Sequence, residues 1–125
     1  MDYRTDPTYQ ALEKIIQDAG VKITYETVPD DSIDGEIWAR SDIDTDSIMM
    51  PEAGDAFPDA ETACVILGHE MGHILSRLDS PDNPAQRRQN EAVCDLIGVY
   101  LFRLAGRIYD KQAEDSFRAY GEQMN

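Results

Sequence analysis

Residues 59–78 read DAETACVILGHEMGHILSRL, and this stretch decides how the rest of the chain is arranged. It reads as one helix from residue 59 to about residue 78. The only two histidines of the chain, His69 and His73, lie in it, with Glu70 directly after the first. A helix brings positions i and i+4 to one face, so both imidazoles can reach one metal ion. Imidazole suits zinc, and a glutamate beside the metal can take a proton from water there. Gly68 and Gly72 have the same spacing. In a helix interior each costs about 1 kcal/mol relative to alanine. The expected return is close approach of another backbone beside the metal; the plainer alternative is tight helix packing away from it.

Working outward, Asp6-Pro7 opens a first helix with a capping residue and a proline at its first position. Leu12, Ile15, Ile16 and Ala19 follow at helical spacing, and Gly20 is a natural stop. Residues 21–28 alternate in the β manner and are rich in β-branched side chains. Residues 36–40 and 47–50 read as two further short strands, linked through 41–46. A loop covers 51–58, and the run 79–84, DSPDNP, breaks the histidine helix. A third long helix is expected from Ala85 to about Ala105, closed by Gly106. A fourth is expected over 110–123, with Ala113, Phe117, Tyr120 and Met124 on its inner side. Helix, small three-stranded sheet, then helices is an α+β order. The length suits a single domain spanning 1–125.

The net charge is −14. Such a chain repels phosphate backbones, which disfavours nucleic acid as a partner. The acid concentrates in residues 30–46 and 52–61. These stretches either form a solvated surface or flank the cleft and favour a basic substrate segment. No apolar run approaches bilayer length, so no membrane partner is expected. The start, Met1-Asp2-Tyr3-Arg4-Thr5-Asp6, lacks the basic and apolar stretches of a signal peptide, which points to the cytoplasm. Cys64 and Cys94 then stay reduced and act as small core residues.

A catalytic zinc site takes three protein ligands and leaves one position to water. With no third histidine, the remaining ligand must be Asp, Glu or Cys, on a helix facing the first. Asn90-Glu91-Ala92-Val93-Cys94-Asp95 offers one. Glu91 and Asp95 share one face of a helix that otherwise carries Ala92, Val93, Leu96, Ile97, Val99 and Leu101. Carboxylates entering such a surface need a compensating charge. On this reading Glu91 binds zinc, and Asp95 accepts the second ring N–H of His69. Alternatively both merely cap or solvate the helix start, or Cys94 is the third ligand. Glu70 is placed to act as general base and to pass the proton on to a leaving amine. Tyr100, Arg77 and Arg103 are candidates, by type only, for a second electrophile. His-Glu-x-x-His on a helix is the sequence mark of zinc metallopeptidases.

These two motifs together resemble the zincins with a glutamate third ligand. In size and layout the chain is similar to the compact ImmA/IrrE family of metallo-endopeptidases, over roughly residues 8 to 106. The resemblance implies a zincin-like domain holding one Zn2+ through His69, His73 and Glu91, with Glu70 as general base. It implies an endopeptidase of the kind met in phages, mobile elements and stress responses, where a target can be a transcriptional repressor. By the same analogy the strand at 47–50 is an edge that pairs with extended substrate; Met49, Met50 and Pro51 can equally be core and turn residues. The zincin domain of some anti-restriction proteins has a similar helix pair. The alternative function is therefore a metal-stabilised regulatory or protein-binding module that cleaves little. A structural helix assembly with a coincidental motif is the third reading. Another divalent ion in place of zinc is open on ligand type alone.

Overall fold

The computed structural model describes residues 2–27, 39–78 and 82–109, with side chains described to residue 106. The fourth helix expected over 110–123 and most of the strand expected at 36–40 lie outside the described residues. A 3-10 turn, Tyr3–Thr5, leads into α1 (Pro7–Asp18), β1 (Lys22–Glu26), β2 (Arg40–Asp42), β3 (Ser47–Pro51), α2 (Ala60–Ser76) and α3 (Pro84–Tyr109). The architecture is α+β: three helices with a small mixed three-stranded sheet.

Local chemistry sets most of the boundaries. Asp6 caps α1, accepting the Tyr9 N–H at 3.0 Å, and Pro7 occupies the first turn. Beyond α1, Gly20 has φ +90, a conformation that suits glycine, and the chain reverses there into β1. Asp59 caps α2, accepting the backbone N–H of Thr62 at 2.7 Å. That helix ends at Ser76, where Arg77 turns left-handed with φ 58 and ψ 26. The side chain of Asn83 accepts from the Gln86 N–H at 3.0 Å and so starts α3. Gly106 does not close α3, which runs on to Tyr109. One glycine weakens a helix by only about 1 kcal/mol, and the neighbouring Leu101 and Ala105 are buried.

The sheet order is β1-β3-β2, with β1 parallel and β2 antiparallel to β3. The strand 47–50 is therefore central, and the expectation that it forms an edge is corrected. It pairs with β1 along its whole length on one side and with β2 over Ser47, Ile48 and Met49 on the other. Its Ile48, Met50 and Pro51 are buried core, and among the described residues β1 and β2 are the outer strands.

Tyr3, Tyr9 and Phe57 stack edge to face, with Tyr3 centred 5.0 Å from Tyr9 and 4.9 Å from Phe57. The Tyr3 hydroxyl donates to the Pro51 carbonyl at 2.5 Å, which ties the 3-10 turn to the end of β3. Leu12, Ile16, Ile48, Met50 and Leu67 complete this core. The α2 helix is buried almost all round and packs most extensively on α3, while its other side meets β2 and β3. Such burial fits a helix that is apolar over most of its circumference. Among the described residues no helix is long and apolar enough to cross a membrane.

Candidate metal centre

The seam between α2 and α3 is built on three glycines. A Cβ on Gly68 would lie 2.7 Å from the Gly98 carbonyl oxygen, and one on Gly72 would lie 2.8 Å from that of Cys94. A Cβ on Gly98 would lie 2.7 Å from the His69 nitrogen. The two backbones approach as closely as glycine allows, directly beneath the histidines. Gly68 and Gly72 thus do what their spacing suggests. Gly98 is the partner that sequence reasoning missed; its offset of seven residues from Glu91 was the available signal.

This approach brings Glu91 of α3 over the histidine face of α2. His69 Nε2 lies 2.7 Å from one Glu91 carboxylate oxygen, and His73 Nε2 lies 3.5 Å from the other. Asp95, one turn further along α3, sits 2.7 Å from His69 Nδ1. His73 Nδ1 lies 2.5 Å from the Leu78 carbonyl oxygen. A carbonyl only accepts, so His73 carries its proton on Nδ1. The Asp95 carboxylate holds His69 the same way. Both Nε2 atoms face the Glu91 carboxylate, and two imidazoles with a carboxylate make a donor set that could hold a divalent metal.

By distance alone, His69, Glu70 and His73 also form a group that could hold a metal, their donor atoms all lying within 4.8 Å of one another. Glu91, outside that group, faces both Nε2 atoms with its two oxygens. Glu70 is engaged elsewhere. It is buried, and its carboxylate is hydrogen-bonded by the side chain of Ser41 on β2. Burial pushes the Glu70 carboxyl above the ordinary carboxylate range, opposed by the charges of His69 and His73 and by the Ser41 hydrogen bond. Ser41 carried no sequence signal, since only the fold sets β2 opposite Glu70.

The apolar setting expected around Glu91 and Asp95 is only half present. Glu91 is 33% exposed and Asp95 67%, and Leu96 stands in solvent. Cys94 lies inside the seam, with its sulfur 3.9 Å from the Ser76 hydroxyl, and burial raises its thiol. It is not in the group that could hold a metal, and Cys64 is likewise a buried free thiol.

A cleft of about 1060 Å³ opens over the site between β2 and α2. His69, Glu70, His73 and Glu91 form its floor, and Arg40, Asp42, Asp44 and Arg77 line it above. Of the three electrophile candidates only Arg77 lines this cleft, and its guanidinium is paired to Asp46 at 2.6 Å. The acidic stretch at 30–46 does reach the cleft through Asp42 and Asp44. Compared with models of known protein families, with curated proteins and with solved structures, the chain matches none.

Proposed function

We propose that this protein is a zinc-dependent metallo-endopeptidase, a compact zincin-like domain related to the ImmA/IrrE type. The observation that carries the reading is the three-sided approach of His69 Nε2, His73 Nε2 and the Glu91 carboxylate, with both Nδ1 atoms held by acceptors. His69, His73 and Glu91 are the ligands, and Asp95 orients His69. When bound there, zinc supplies Lewis acidity, acidifying a water and polarising a carbonyl.

Glu70 is the general base. Its carboxylate is buried beside the histidines and lies on the cleft floor, where it takes a proton from the attacking water and delivers it to the leaving amine. Ser41 keeps the carboxylate turned toward β2. Extended substrate pairs with the outer edge of β2, whose residues line the same cleft. Asp42 and Asp44 favour a basic segment in that substrate, such as one found in a regulatory protein.

Glu70→Gln tests the reading with a peptide library and mass-spectrometric detection of products. Wild type cleaves, and the variant binds zinc equally yet loses at least about 100-fold in turnover, the scale of general-base catalysis. A wild-type protein that binds zinc and retains a partner without cleaving it would instead be a metal-stabilised binding module.

A further inference from the structure

The two histidines are held differently. His69 leans on a side chain of the facing helix, whereas His73 leans on a backbone carbonyl beyond the end of its own helix. In a continuing helix the Leu78 carbonyl would point along the axis, away from the His73 ring. It reaches the ring only because the chain turns at Arg77. Arg77 is left-handed, with φ 58, a state that a bulky residue keeps only where its surroundings over-determine it. Three contacts do so. Ser76 Oγ donates to the Gly72 carbonyl at 2.7 Å and accepts the Leu78 N–H at 3.2 Å. Arg77 donates to Asp46 at 2.6 Å. Asp46 is itself left-handed, with φ 48, and its carbonyl accepts the Lys22 N–H of β1 at 3.0 Å. A continuous chain of contacts therefore runs from the sheet to His73.

We propose that Ser76, Arg77 and Asp46 are positioning residues that fix the ring orientation and tautomer of His73, and through them set metal affinity. The inference rests on the metal-site reading above. The Arg77–Asp46 pair is about half exposed, at 56% and 52%, and such pairs add little to stability. Its contribution is geometric: it holds the turn that presents the Leu78 carbonyl. Ser76 does the same from inside the turn.

The test measures Zn2+ affinity by chelator competition, alongside melting of the metal-free proteins and ring 15N spectra at pH 8. Ser76→Ala weakens zinc binding by about tenfold, the lower end for losing the group behind a ligand histidine, and Ser76→Thr restores it. Arg77→Met and Asp46→Asn keep a side chain at each left-handed position and remove the ion pair. They weaken binding by about two- to fivefold, and they keep the test decisive should Ser76→Ala fail to fold. In metal-free wild type His73 is the Nδ1–H tautomer; in Ser76→Ala it is a mixture, while His69 is unchanged. A purely structural role for Ser76 would lower melting without moving the His73 tautomer, and that result overturns the proposal. Equal zinc affinity in wild type and all the variants overturns it too. Wild type that binds no zinc removes the metal reading itself, and this inference with it.

Discussion

The aromatic cluster around Tyr3 and the glycine seam under the histidines both exclude solvent, yet they spend their residues differently. In the cluster, large rings fill space: Tyr3 and Tyr9 are at most 2% exposed, and Tyr3 packs edge to face on both Tyr9 and Phe57. Each such ring contributes burial plus about 0.5–1.5 kcal/mol of ring geometry. In the seam, Gly68, Gly72 and Gly98 remove side chains altogether so that α3 can bring Glu91 and Asp95 to the imidazoles. One region supplies stability and tolerates small shifts; the other gives up stability for position. Glu70 sharpens the contrast, being a buried carboxyl hydrogen-bonded by Ser41.

The contrast can be broken from either side. Phe57→Ala, in the cluster, lowers unfolding free energy by about 3–5 kcal/mol, within the range for aromatic truncation in a core. Zinc affinity of the folded protein stays within about twofold, since the site shares no contact with Phe57. Urea titration and chelator competition read the two quantities separately. Gly98→Ala, in the seam, costs less, about 1–3 kcal/mol, because helix propensity offsets part of the overpacking. Its zinc affinity nevertheless falls by about tenfold or more as Glu91 is pushed off the histidines. Unchanged affinity in Gly98→Ala would show that the seam does not position the ligands.

Glu91→Ala has a smaller effect on folding. Glu91 is partly exposed, so the metal-free protein changes by about 1 kcal/mol or less. Elemental analysis of the purified variant should show marked metal loss against about one zinc per wild-type chain. Retained zinc would move the third ligand to Glu70, the other carboxylate within reach.

The effect that is smallest near neutral pH is that of ionisation. Burial pushes the Cys64 thiol up to about 12 from its ordinary 9.0. The native chain then holds a proton that the unfolded chain releases between those values. Stability from this group is complete below pH 9 and falls as pH rises toward 12. Tyr3, also raised to about 12 by burial, adds to the loss above pH 10. The urea midpoint should be flat from pH 7 to 9 and decline above it, less steeply in Cys64→Ala. Faster decline in Cys64→Ala would contradict the sign.

Much of this was legible without coordinates wherever the signal is local. The cap Asp6, the reversal at Gly20 and the helical face of His69 and His73 depend on neighbours within a few residues. Asp95 behind His69 and the close approach at Gly68 and Gly72 also came from spacing, because an i, i+4 pattern on one helix demands a matching face on another. Where reading failed, the cause was non-local. The family analogy makes β3 an edge, but strand order is not a local property, and a parallel partner, β1, arrives from earlier in the chain. Leu96 stands in solvent although it is apolar, since apolar type does not state which side a neighbour covers.

The sequence alone determined the chemistry on offer: two imidazoles and a carboxylate on one turn of helix, two carboxylates on another, and glycines that let the helices meet. Those are properties of residue type and of the 3.6-residue period. Tertiary structure alone decided which groups meet across the cleft. It set Ser41 against Glu70, the Leu78 carbonyl against His73, and Asp46 against Arg77. The first depends on sheet order, and the other two on left-handed turns at non-glycine residues. Both are set by long-range packing, which local propensity does not encode.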